Sequence, residues 1–189
     1  MYVTIIIPTF NRKAFERLIS FNINTQTYPF IKEVLVADDG DPDQALDLKV
    51  KYPISYHTIR RCTIGTKRNY LNSMCTTPYI ACLDTDDMYH PDYISNAIFQ
   101  LIKSKKNVAG SADMIMHQVS TKTFFHQRCL YLDMLNEATL VYTKKYADTH
   151  SFTNASSGEG ISFLKGNTHD IIETDIREVM CCLVHDNNT

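Results

Sequence analysis

Three carboxylates fall within four residues at Asp84-Thr85-Asp86-Asp87, directly after the apolar run Tyr79-Ile80-Ala81-Cys82-Leu83. Crowded carboxylates repel one another and raise each other's pKa unless a positive charge neutralises them. Their hard oxygens suit Mg2+ or Mn2+, above all where substrate phosphates complete the coordination shell. The same residues also fit a surface turn in which Asp86 or Asp87 caps the next helix, and both readings stand at this point. Asp38-Asp39-Gly40-Asp41-Pro42 follows a second apolar run, and Pro8-Thr9-Phe10-Asn11-Arg12 follows a third. Lys67, Arg68 and Asn69 come just after Gly65, at an expected helix start. Free N–H groups and the helix dipole favour anions there. Two cations at that place suit a diphosphate or a nucleotide, or else form a solvated charged face.

The elements that must position these groups alternate. Val3-Thr4-Ile5-Ile6-Ile7 and Glu33-Val34-Leu35-Val36-Ala37 read as strands buried on both faces. Residues 54–59 and 79–83 predict a third and a fourth strand. Asn11 is placed to cap a helix with apolar positions Ala14, Phe15, Leu18 and Ile19. A weak helix is expected up to residue 51, and another from Gly65 to about 75. Pro91 suits the first position of a helix whose stripe is Tyr93, Ile94, Ala97, Ile98, Leu101 and Ile102. The β-α-β-α-β-α-β-α order predicts an α/β fold with a largely parallel sheet and helices on both faces. Ligands of such sheets bind outside the carboxyl ends of the strands, where the three polar clusters would converge. Beyond residue 106 the pattern changes. Strands are expected over 114–119, 123–131, 138–142 and 179–184, antiparallel or mixed. A polar loop over 148–158 leads to a short helix over 159–165.

With 189 residues, 44% hydrophobic and 21% charged, the chain fits one globular domain with a real core. Nineteen basic against 21 acidic side chains give a net charge of −2, so no global field is available to hold nucleic acid. No run approaches the roughly 20 apolar residues of a membrane span. The run over 2–10 lacks the basic leader and cleavage site of a signal peptide. The six cysteines form no C-x-x-C pair, and Cys181 and Cys182 are adjacent. Buried thiols in a reducing, cytoplasmic compartment are expected. The sequons at Asn154 and Asn187 are then coincidental.

Taken together, these segments resemble glycosyltransferase family 2 and its GT-A fold. The opening strand with Pro8-Thr9-Phe10-Asn11-Arg12 is similar to the family's first strand and turn. Ala37-Asp38-Asp39-Gly40 is similar to its aspartate turn, Gly65-Thr66-Lys67-Arg68-Asn69 to its Gly-x-x-x-Arg-Asn helix start, and Asp84-Thr85-Asp86-Asp87 to its DxD-containing strand end. More faintly, residues 138–145 resemble the acceptor-side strand, Ser157-Gly158-Glu159-Gly160 the Glu-Asp helix start, and residues 185–189 the late His-x-x-Asn-Thr segment. Gly160 departs from the pattern, since the family carries Asp there. The resemblance implies a single GT-A domain over 1–189: a mostly parallel, Rossmann-like sheet flanked by helices, with a smaller mixed or antiparallel part. Residues 1–106 would bind the nucleotide sugar and 107–189 the acceptor. The whole also resembles the N-terminal glycosyltransferase domain of large-virus proteins, which implies the first domain of a longer polypeptide and a host cytoplasm.

The roles implied by the resemblance are specific. The donor would be a UDP-sugar, held by Pro8, Thr9, Phe10, Arg12, Asp39, Lys67, Arg68, Asp84, Thr85 and Asp86. Thr9 and Asp39 would hold the uracil, Asp39 accepting from the ring N3–H, while Asp38 braces its turn. Mn2+ or Mg2+ would sit on Asp86, with Asp87 and His185 as the further candidate ligands. Glu159 would take the proton of the acceptor hydroxyl in an inverting displacement, with Asp148, His150 and Asp170 in reserve. The acceptor would be a glycan, a lipid-linked sugar or a protein. Two other functions share these features. Haloacid-dehalogenase-type phosphatases also end a strand in D-x-D, although near the N-terminus, and they carry Thr or Val where Met88 stands. An inactive nucleotide-sugar-binding domain would fit the gap at Gly160.

Overall fold

The computed structural model describes residues 1–129, 131 and 133–186. Eleven strands are assigned among the described residues. They are β1 (Val3–Thr9), β2 (Ile31–Asp38), β3 (Ile54–Thr58), β4 (Tyr79–Cys82), β5 (Met88–Tyr89), β6 (Val108–Gly110), β7 (Asp113–Gln118), β8 (Thr123–Arg128), β9 (Val141–Thr143), β10 (Ile171–Glu173) and β11 (Met180–Val184). The helices are α1 (Glu16–Thr25), α2 (Ile64–Met74), α3 (Tyr93–Ser104), α4 (Lys144–Ala147) and α5 (Ile161–Leu164). Seven strands form one sheet in the order β10-β6-β9-β4-β1-β2-β3, and β5-β11-β7-β8 form a smaller one. Strands β4, β1, β2 and β3 are parallel, and β9 is antiparallel to both of its neighbours. The small sheet is mixed, with β11 parallel to β7 and antiparallel to β5.

Every residue of β1 is buried, as its β-branched run requires of a strand covered on both faces. Ile5 and Ile7 join Ile19 and Ile23 of α1 and Ile94 and Ile98 of α3 in one core. Ile6 points the other way and packs with Leu71 of α2, Cys82, Tyr142 and Phe163. The central sheet therefore separates two apolar layers, and the ends of β1 and β4 are held between them.

Several expectations are corrected. The helix expected up to residue 51 is only a 3-10 turn over Pro42–Gln44. Beyond it, the peptide N–H groups of Asp47, Lys49 and Lys51 donate to Glu16, Ser20 and Asn24 of α1. Acceptors one helical turn apart thus meet alternate residues of an extended chain, and Leu46 and Leu48 are buried beneath. Asn11 does not cap a helix. It adopts φ 52°, donates to Asp41 Oδ2 and accepts from the Asp41 N–H, tying the turn after β1 to the turn after β2. The N-cap of α3 is Asp92, so Pro91 precedes the helix. Residues 137–139 form a 3-10 turn before β9, and the helix expected over 159–165 shortens to α5. Strand β8 stops at Arg128, and residue 130 of the expected strand lies outside the described residues. All described cysteines are free, but only Cys75 and Cys82 are buried. No described helix is long and apolar enough to cross a membrane.

Candidate active site

A cavity of about 160 Å3 opens at the carboxyl ends of β1 and β4. Pro8, Thr9, Phe10 and Arg12 reach it from the end of β1, and Asp84, Thr85 and Asp86 from the end of β4. Arg61, Cys62, Ile64 and Lys67 come from the approach to α2 and its first turn, and Ser156 from the loop before α5. Eight of the donor-site candidates therefore line one cavity, while Asp39 and Arg68 lie behind its wall.

Asp39 follows β2 and its side chain is wholly buried. Lys67 Nζ donates to Asp39 Oδ1 at 2.6 Å and to the Thr9 carbonyl at 2.8 Å. Arg61 approaches the same oxygen at 3.3 Å, and the Cys62 N–H donates to Oδ2 at 2.8 Å. The Arg61 guanidinium also lies 3.3 Å above the Phe10 ring. Arg61 thus covers Asp39 and stacks on an aromatic face at once. Thr9 Oγ1 is buried and has no hydrogen-bond partner among the described residues. Asp38 accepts from the Gly40 N–H and from the Tyr56 hydroxyl, contacts that brace the turn.

Arg68 is 1% exposed. Its Nη2 donates to Asp84 Oδ1 at 2.9 Å and its Nε to Glu159 Oε1 at 3.2 Å. Arg68 therefore braces the strand-end aspartate and is not among the residues that line the cavity. Glu159 is 4% exposed. Burial raises its pKa and the Arg68 charge opposes that rise. The Asp84 N–H donates to the Tyr89 hydroxyl at 2.8 Å, and that hydroxyl donates to the Ala138 carbonyl at 2.9 Å.

Of the three candidate metal ligands, Asp87 parts from Asp86 and His185. Asp87 is 5% exposed, and its Oδ1 accepts from the Leu183 N–H of β11 at 3.1 Å. Burial, reinforced by the charges of Asp84 and Asp86, pushes its pKa up to about 7. Asp87 thus turns into the small sheet, away from the cavity, because β11 offers it a backbone donor. Asp86 Oδ2 lies 3.4 Å from His185 Nε2 and 3.4 Å from Arg12 Nη2. Strand β11 delivers His185 to this place, where its ring packs on Phe15 with centroids 4.9 Å apart. Among the described residues no three His, Cys, Asp or Glu side chains gather as a metal centre. One carboxylate and one imidazole at this spacing still fit a divalent ion whose remaining ligands come from substrate phosphates. Residues 187–189 of the late motif lie outside the described residues.

Asp148 forms an ion pair with Lys144, His150 stacks on Tyr146, and Asp170 bonds to Asn107. None of these reserve candidates lines the cavity. Sequence reasoning missed Arg61, Tyr89 and Glu137. Arg61 stands in a connection whose path no local pattern sets, and Tyr89 belongs to a two-residue strand. Glu137 accepts from the Gly160 N–H at 2.9 Å across 23 residues of sequence.

Residues 4–157 match the sequence profile described as Glycosyl transferase family 2. Glycosyltransferase GlyA of Streptococcus pneumoniae serotype 4 is 25% identical over 130 residues, 66% of this chain and 18% of GlyA. S. aureus TarS 1–349 in complex with UDP superposes with a TM-score of 0.72 at 18% identity, over 97% of this chain and 61% of that one. The mannosyltransferase PcManGT from Pyrobaculum calidifontis, in complex with GDP-Man and Mn2+, gives 0.69 at 16% identity, over 98% and 57%. The chain spans less than two thirds of each of these relatives. None of them supports the viral resemblance. The two structures share the fold, and the profile covers most of the sequence, including the cavity residues from Pro8 to Ser156. The chain belongs to glycosyl transferase family 2.

Proposed function

We propose that this chain transfers a sugar from a UDP-sugar to a hydroxyl of a glycan, lipid-linked or protein acceptor, with inversion at the anomeric carbon. The observation that carries the reading is that Arg12, Arg61 and Lys67 share one cavity with the Asp84-Thr85-Asp86 strand end. Arg12, beside Asp86, suits the diphosphate, and Lys67 holds Asp39 in place at the base end. The unpartnered Thr9 Oγ1 supports a base contact, and Asp39 becomes available to a uracil N3–H when Arg61 moves off Phe10. Planar Arg61, stacked on Phe10 and bonded to Asp39, occupies the kind of position a base would take. A divalent ion held by Asp86 and His185 would supply Lewis-acid stabilisation of the charge on the departing diphosphate. Arg68 fixes the orientation of Asp84 from beneath. In-line attack on one face with departure from the other inverts the configuration. The PcManGT complex with Mn2+ and the TarS complex with UDP are consistent with this reading as properties of those proteins.

UDP- and GDP-sugars incubated with Mn2+ and simple sugar acceptors test it by nucleotide release. UDP release with a glycosylated product of opposite anomeric configuration by NMR is the expected result. Phosphate release from a generic phosphomonoester, without UDP release, would return the D-x-D to phosphatase chemistry.

A further inference from the structure

We infer that Glu137, not Glu159, is the carboxylate that takes the proton from the acceptor hydroxyl; this rests on the transfer reading above. A Cβ at Gly160 would stand 2.6 Å from Glu137 Cγ and 2.8 Å from its Oε1. Positions 137 and 160 therefore compete for one side-chain volume, and this chain fills it from position 137. Gly160 is the residue that permits the arrangement, and its N–H holds Glu137 Oε1 at 2.9 Å. That bond uses Oε1, and on this inference Oε2 receives the acceptor hydroxyl.

Glu137 is half-buried and borders a second cavity of about 190 Å3, walled mostly by apolar residues such as Met114, Leu135, Ile161 and Leu164. That cavity suits one sugar ring, with apolar walls to pack against its carbon–hydrogen face. Glu159, by contrast, is sealed and spends its charge on Arg68. The two cavities have no described lining residue in common, but one hydrogen-bonded link runs between their walls. The Tyr89 hydroxyl bridges the Asp84 N–H on the donor side to the carbonyl of Ala138, the neighbour of Glu137. On this inference the acceptor sits in the second cavity with its hydroxyl turned toward the donor at the end of β4. In the step, the acceptor oxygen bonds to the anomeric carbon as the bond from that carbon to the diphosphate oxygen breaks. The bonding pair leaves with UDP, and the hydroxyl proton passes to the Glu137 carboxylate. Glu159 becomes a positioning residue, acting through Arg68 and Asp84.

The probes are UDP-glucose and UDP-N-acetylglucosamine with Mn2+, in water alone and with glucose or N-acetylglucosamine as acceptor. Glu137→Gln is expected to lower UDP release about 100-fold or more, the usual scale for a lost general base, with UDP affinity within twofold of wild type by calorimetry. Glu137→Ala/Gly160→Asp places a carboxylate in the same volume and is expected to recover at least tenfold over Glu137→Ala. Turnover by Glu137→Gln within threefold of wild type, with UDP bound normally, would overturn the inference and leave the donor reading intact. So would a folded double variant no faster than Glu137→Ala. A wild type that does not bind UDP, or binds the donors without ever releasing UDP, would overturn the transfer reading and the inference with it.

Discussion

Asp87 illustrates how one carboxylate of an acidic cluster comes to face the protein interior rather than the cavity. Burial and two neighbouring carboxylates lift its pKa from 3.8 to about 7, and the Leu183 N–H only partly offsets them. A carboxyl whose folded pKa lies above its unfolded one favours the fold while protonated. That contribution is complete below about pH 4 and is lost as pH rises through 7. Asn copies the protonated acid and keeps the oxygen that Leu183 uses. Asp87→Asn is therefore expected to melt with wild type near pH 4 and above it at pH 8. At about 1.4 kcal/mol per pKa unit, the gain reaches at most about 4 kcal/mol. Melting curves in a chelator from pH 4 to pH 8 check this; a difference that is constant across the range would contradict it. The gathering of the strand-end residues at one cavity was legible, because the carboxyl ends of neighbouring parallel strands fall together. The facing of their side chains was not. Nothing in Asp84-Thr85-Asp86-Asp87 tells that the last carboxylate turns to β11, almost a hundred residues away.

At the scale of elements, periodicity served wherever an element buries a full face. Strand β1 and helix α3 stand close to where their patterns put them. Residues 46–51 were misread, although Leu46, Leu48 and Val50 already alternate with charged residues in the two-residue period of an extended chain. The partners Glu16, Ser20 and Asn24 complete that period from another element. The three-residue strands β6, β9 and β10 carry too few residues for any period and exist through their pairing. The start of α2 depends on close approach in the same way. Gly65 donates to the Ala155 carbonyl at 2.9 Å, and a Cβ there would meet the Thr153 carbonyl oxygen at 1.8 Å. Backbone on both sides leaves little room to relax. Gly65→Ala is expected to cost about 3 kcal/mol in urea unfolding, at the upper end for overpacking, and to loosen the loop that carries Ser156. A loss below about 0.5 kcal/mol would contradict that packing.

In the whole molecule, two chain segments far apart in sequence finish what the parallel sheet begins. Strand β11 brings His185 to Asp86, and the segments at 137 and 159 pack around Gly160 and Arg68. The parallel sheet of the first half was legible from its apolar strands alternating with helices. The other half was only partly so, because its geometry is set by contacts between short, irregular segments. The account stands on Asp86 and the cation-lined cavity forming one donor site. Calorimetric titration of UDP and UDP-sugars with and without Mn2+, on wild type and on Asp86→Ala, tests that most directly. The account predicts binding that tightens at least tenfold with Mn2+ in wild type and loses that gain in Asp86→Ala. Folded wild-type protein that binds no UDP with Mn2+ present, or Asp86→Ala binding as wild type does, would contradict it.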